Sequence, residues 1–318
     1  MYIYGFDYLR LVSVAAVLGI HTFSTAGGLR DISQQLSFAV PCFVLMAAYL
    51  SCHSVQKGRP RFMPQRVRRL APAFLAWTVV YLAARIAHGG IGVPSFSDVT
   101  TDLFFGAGAL HLYFVPMILY YSAMILILPR SRLPRVSICT FSFCAAVLLR
   151  FYGIPVLRLG SPEADAFPFY FFYNLPYLFA GVLLFDWIEK NRDAWFHHHA
   201  GYFSLLSGAG ALWVWVLPAN ISSFVYVQYI LRDVLLFLAF RFLPFRSPKW
   251  LSVAASLTLG VYLSHHLILE GLKLLEEKLG MQTFEITVTL LRYGTGVVLS
   301  LALCYLLAHM RRTAWLVR

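Results

Sequence analysis

Residues 6–26 read FDYLRLVSVAAVLGIHTFSTA. The segment is apolar through most of its length and long enough to cross a bilayer as a helix, which takes roughly 20 residues. Its ionisable side chains sit at its two ends, with Asp7 and Arg10 at one and His21 toward the other. Eleven residues at about 1.5 Å rise separate Arg10 from His21 by roughly 16 Å along the axis. Eleven steps of about 100° return nearly to the starting direction, so both side chains leave the same helix face. The first expectation is a membrane span with a cation near one mouth and an imidazole beyond the midplane.

Nine further apolar stretches follow, near 35–54, 70–88, 109–129, 136–153, 168–187, 201–218, 221–242, 251–270 and 286–308. They predict an all-α, polytopic membrane helix bundle of about ten transmembrane helices in a single domain, 1–318. Composition agrees. The 318 residues are 59% hydrophobic and 13% charged, and mean hydropathy is +0.70. A soluble domain carries about a quarter charged residues, so both a soluble globule and a disordered chain are excluded. Pro116, Pro168 and Pro176 fall inside these stretches, where they kink a span without ending it. The first stretch lacks a basic leader and a small-residue cleavage site, and is read as a retained span. The segments at about 89–108 and 154–167 are read as loops, where specificity tends to reside.

The net charge of +12 comes from 26 Lys and Arg against 14 Asp and Glu. Seventeen cations fall on one side of the predicted spans, in clusters such as Lys57–Arg69, Arg130–Arg135 and Arg241–Lys249. The other side holds only Arg30, Arg158, Lys273 and Lys278. By the positive-inside rule both termini are cytoplasmic. Topology thus accounts for most of the charge, and no nucleic-acid partner is expected. The five cysteines mostly lie in apolar runs without metal-ligand spacing, and reduced, packed thiols are expected with no metal site.

Arg10, Arg85, Arg150, Arg232 and Arg292 lie within predicted spans, where a cation costs at least about 2.5–3.5 kcal/mol and faces a cavity or a partner. Arg232 and Asp233 are sequence neighbours that point to different helix faces, so each is expected to pair with another helix. Arg66 and Arg69 are three residues apart before the third span. They read either as a topogenic cluster or as a phosphate clamp, because guanidinium forks match phosphate oxygens. His111 opens the fourth span, and His265-His266 lies in the ninth. Adjacent histidines diverge on a helix, so no metal site is expected from that pair alone. The cofactor and nucleophile motifs HExxH, Walker A, GxGxxG and GxSxG are all absent from the sequence.

Taken in order, these elements resemble the acyltransferase-3 family of integral membrane O-acyltransferases. Arg10 and His21 match its Arg-x10-His spacing, and Arg66-Val67-Arg68-Arg69 matches its Arg-x-x-Arg. Pro41-Cys42-Phe43-Val44-Leu45 is similar to its Pro-x-Phe-Phe pattern, with Ala47-Ala48 in place of Ser-Gly. His111-Leu112-Tyr113-Phe114 is similar to His-Leu-Trp-Phe, and Tyr262-Leu263-Ser264-His265 to a late Tyr-Leu-x-His. The resemblance implies a stand-alone bacterial inner-membrane enzyme that moves an acyl group, commonly acetyl from acetyl-CoA, to a hydroxyl of a cell-envelope or exported glycan.

On that basis Arg66, Arg69 and Arg10 are expected to bind the CoA phosphates, and His21 to act as general base or acyl carrier. No carboxylate of the first span orients His21, so its partner comes from another helix, with Asp233 and Glu270 as candidates. Asp233, His111, His265 and Glu270 are the weaker expectations for substrate contact. Two other readings of the residues stay open. One is a transporter or flippase for a lipid-linked sugar or small solute, and the other is a non-catalytic partner in polysaccharide assembly.

Overall fold

A computed structural model of the chain describes residues 3–24, 27–58, 61–87, 96–106, 109, 111–152, 162–191, 195–216, 225–281 and 285–317. The predicted turn at Ala219-Asn220 and most of the 154–167 segment lie outside these residues. All regular structure among them is helical. The α-helices are α1 (Gly5–Phe23), α2 (Arg30–Gln35), α3 (Ala39–Gln56), α4 (Phe62–Ala87), α5 (Phe96–Phe105), α6 (Phe114–Ile127) and α7 (Arg132–Tyr152). There follow α8 (Pro162–Lys190), α9 (Trp195–His198), α10 (Ala200–Val216), α11 (Val225–Arg241), α12 (Lys249–Ser256), α13 (Thr258–Lys278) and α14 (Ile286–His309).

Among the described residues, each of the ten predicted stretches overlaps helix. Six segments are long and apolar enough to cross a membrane, seven if the bent pair α12–α13 is one span, and α6 and α10 are shorter apolar helices. Several features differ from the expectation. Helix α11, in place of the predicted 221–242 span, is not among the helices long and apolar enough to cross, and the predicted 154–167 loop includes the first residues of α8. The 89–108 segment contains α5, and the predicted 251–270 span is broken, α12 and α13 meeting at 61° around Leu257. In contrast α8 runs through Pro168 and Pro176 without ending. Large apolar side chains stand exposed along whole helix faces, for example Leu205, Leu212 and Trp213 on α10 and Leu291, Val298 and Leu306 on α14. Such faces are out of place in water and suited to lipid.

Contacts divide the chain into two compact units. The first comprises 1–43, 199–218 and 231–318. In it α1 packs against α2, α12, α13 and α14, and α13 and α14 form an antiparallel pair. Ser264 Oγ and Cys304 Sγ meet across that pair at 3.8 Å, and Arg292 of α14 grips the buried Glu276 of α13 through Nε and Nη2. Gly296 lets the two helices approach, since a Cβ there would crowd the Leu269 side chain. The Ser33 hydroxyl donates to the Ile20 carbonyl at 3.2 Å and covers the end of α1.

The second unit comprises 44–198 and 219–230. Here α7 and α8 pack along one another, α6 contacts α4, α5 and α8, and α8 approaches α3 at Gly181, where a Cβ would collide with Ala48. The five cysteines are free thiols, four of them buried and Cys144 exposed.

Candidate active site

His21 sits in the last turn of α1, half-buried. Its ring neighbours are imidazoles of α13: centroids lie 5.1 Å away for His265 and 5.7 Å for His266, and those two rings are 6.5 Å apart. Adjacent side chains on α13 diverge, as expected, but His21 comes from a different helix and reaches both. His265 is fully buried. Its Nδ1 donates to the Tyr262 carbonyl at 2.6 Å, which leaves Nε2 as the acceptor nitrogen of the neutral ring. Ser13 and Thr289 are buried polar groups of the same unit whose hydroxyl oxygens have no hydrogen-bond partner.

Arg10 lies eleven residues below His21 on the unbroken α1, so the spacing read from the sequence holds along a real helix. Its guanidinium is 3.7 Å from the Asp7 carboxylate, one turn earlier. Asp7 is buried and accepts from the Ser247 hydroxyl at 2.7 Å and the Ser252 hydroxyl at 2.8 Å. The foot of α1 is thereby tied to α12 and the segment before it. Sequence reasoning gave Arg10 a role without this carboxylate, although an Asp three residues before an Arg on a helix is itself a pairing signal.

Of the weaker candidates, His265 joins His21. Glu270 is exposed and stands one turn beyond His266 on α13. Asp233 is fully buried and accepts from Arg232 Nε at 2.8 Å. Arg232 reaches another helix, as expected, and in addition the two sequence neighbours pair with each other. The long Arg side chain curls back to its neighbour, while its Nη atoms reach the Gln35 carbonyl and the Ser37 hydroxyl at 3.4 and 3.3 Å. The same guanidinium lies 5.9 Å from the Phe38 ring and 5.8 Å from that of Trp215, an arrangement worth about 2 kcal/mol when desolvated.

Arg66, Arg69 and His111 belong to the second unit. Because α4 begins at Phe62, Arg66 and Arg69 lie on one helix and are neighbours on its face. Arg66 donates through Nη1 to the Ser51 hydroxyl of α3, and its guanidinium is 5.5 Å from the Phe62 ring. Arg69 is exposed. His111 is buried, its ring meeting that of Tyr81 edge-on at 5.0 Å.

Chemically, the cluster gathers three imidazoles from two helices, side chains able to take up and release protons. No group of His, Cys, Asp and Glu suited to a metal ion occurs among the described residues. A sequence model described as an acyltransferase domain, that of the acyltransferase-3 family, matches residues 3–309. Comparisons with curated proteins and with solved structures find no match.

Proposed function

Since this chain belongs to the acyltransferase-3 family and is an integral, multi-pass membrane acyltransferase, we propose that it moves an acetyl group from acetyl-CoA to a hydroxyl of a cell-envelope glycan, with His21 as the general base. The observation that carries this reading is the meeting of His21 with His265 at 5.1 Å. His21 takes the proton of the acceptor hydroxyl as its oxygen attacks the thioester carbonyl. The C–S bond then breaks, the ester is formed, and the CoA thiolate recovers the proton from His21. His265, its tautomer fixed by the Tyr262 carbonyl, holds the ring of His21 in register. A positioned base of this kind is worth about 10²–10⁴ in rate.

Arg66 and Arg69 supply the phosphate contacts in this reading. Ser51 and the Phe62 ring hold the Arg66 guanidinium in one orientation, and a pre-oriented fork loses less freedom on meeting a phosphate. The basic side of the protein faces the cytoplasm, where acetyl-CoA is made, by the positive-inside rule.

The test is transfer of label from radioactive acetyl-CoA into envelope glycan, using membranes with equal amounts of wild-type protein or His21→Ala. Label with wild type and none with the variant is the expected result. Equal label from both removes His21 from the mechanism, and label from neither removes the donor–acceptor pair.

A further inference from the structure

Polar side chains on α13 fall on two faces. Glu276 and His265 are buried on one, held by Arg292 and by the Tyr262 carbonyl. His266, Glu270, Lys273 and Glu277 share the other. On the unbroken helix Thr258–Lys278, steps of about 100° place these four within an arc of roughly 60°. A rise of about 1.5 Å per residue strings them over roughly 16 Å. His266 and Lys273 are half-buried, and Glu270 and Glu277 are exposed.

The stripe begins at the candidate base, where the His266 ring lies 5.7 Å from that of His21. It runs to the end of α13 remote from the Arg241–Lys249 cluster, which the positive-inside rule makes the extracytoplasmic end. Glu270 and Lys273 are three residues apart, yet neither is in an ion pair among the described residues. Charged groups on a spanning helix face a partner or a water-filled cavity. The surface suited to lipid in the same unit is different, as in the exposed Leu291 and Val298 of α14.

We propose that this stripe selects the acceptor. His266, Glu270 and Lys273 bind hydroxyls of an uncharged, polyhydroxylated molecule whose reacting hydroxyl lies at His21. A hydroxyl both donates and accepts. A carboxylate that only accepts, followed one turn on by an ammonium that only donates, satisfies neighbouring hydroxyls in turn. One ammonium against two carboxylates leaves the stripe negative, which disfavours a polyanionic acceptor. An alkyl alcohol would leave all three charges facing hydrocarbon, at a large cost. The proposal rests on the acyl-transfer reading and adds to it the side chains that choose the acceptor.

The experiment has two arms. In the first, full-length protein in right-side-out membrane vesicles carries Glu270→Cys, Lys273→Cys or Val298→Cys. The contacts Ser264–Cys304 and Glu276–Arg292 set Val298 level with Glu270 on the paired helix, which makes it the lipid-facing reference. Labelling by the membrane-impermeant reagent 2-sulfonatoethyl methanethiosulfonate is measured over that of the parent protein. Glu270→Cys and Lys273→Cys should label rapidly and Val298→Cys should not. Equal rates at the three positions place the stripe in lipid and overturn the proposal. Labelling needs no turnover, so the same contrast is expected in His21→Ala protein.

The second arm measures transfer from radioactive acetyl-CoA to the neutral and anionic glycan fractions of the envelope, separated by anion exchange. Wild type should label the neutral fraction. Glu270→Gln and Lys273→Met should each raise the KM for that fraction about tenfold, with kcat and the KM for acetyl-CoA unchanged. Lys278→Met, an exposed cation off the stripe, should change nothing. Transfer to the anionic fraction alone, or a KM that the stripe substitutions leave unchanged, overturns the proposal and spares the acyl-transfer reading. Transfer to neither fraction by wild type overturns both.

Discussion

The ring of His265 lies 5.1 Å from that of His21, and its Nδ1 is committed to the carbonyl of Tyr262, one turn earlier on α13. A backbone acceptor does not titrate, so the tautomer of His265 is fixed by the helix itself. If His265 positions His21, His265→Ala should lower kcat of acyl transfer about 10²-fold and leave the KM for the donor unchanged. A purely structural role would instead lower the amount of folded protein and leave kcat per folded molecule intact.

Asp7 is the second test. Its buried carboxylate accepts two hydroxyls and faces Arg10. Asp7→Leu leaves those donors without their acceptor, at about 1–3 kcal/mol. The melting temperature should fall by several degrees. Ser247→Ala, which removes one donor and keeps the carboxylate, should cost less.

The Arg292–Glu276 pair gives a prediction of opposite sign for single and double changes. Removing one partner of a buried pair strands the other, at about 3–5 kcal/mol, whereas replacing both with apolar residues of similar size is often neutral. Glu276→Leu alone should therefore be severely destabilising. Adding Arg292→Met should restore most of the loss in a denaturation measurement.

Gly106 and Gly58 share a left-handed backbone, with φ of +70° and +64°. Only Gly106 is crowded: a Cβ would fall 2.6 Å from the Leu112 carbonyl carbon and the Tyr113 nitrogen, while Gly58 has open space around it. Gly58→Ala should cost about 1–2 kcal/mol from the backbone alone. Gly106→Ala should cost more, because the His111–Tyr113 turn must also shift. Thermal melts of the two variants, run side by side, separate the two contributions.

The number of spans was not legible: six or seven of the ten predicted stretches are long and apolar enough to cross. The helical, membrane-spanning character of the chain was, because each spanning helix needs a continuous run of apolar residues, and that is a local property. Arg10 and His21 were legible as one face for the same reason, their geometry depending on a single helix. What escaped depends on how helices cross. A helix-face argument separates His265 from His266, yet a third ring arriving from α1 meets both. It likewise separates Arg232 from Asp233, but a flexible side chain of Arg length reaches round to its neighbour. The break at Leu257 carries no proline or glycine at that position to announce it. Helix α5 lay in a segment read as loop because its ten residues are too few to register as a span.

The pairing of Asp7 with Ser247, 240 residues apart in the chain, bears on how the protein is made. The helix bearing His21 enters the membrane among the first, yet Ser247, His265 and His266 are synthesised only near the end. At about 5–20 residues per second the wait lasts roughly 10–50 s, during which the first span holds a buried carboxylate and an imidazole with their eventual companions still unmade. Maturation of this enzyme is thus a late clasp of the last third of the chain onto the first helix. A nascent chain stalled before α12 would carry the whole Arg10–His21 signature and yet lack the imidazoles that meet it.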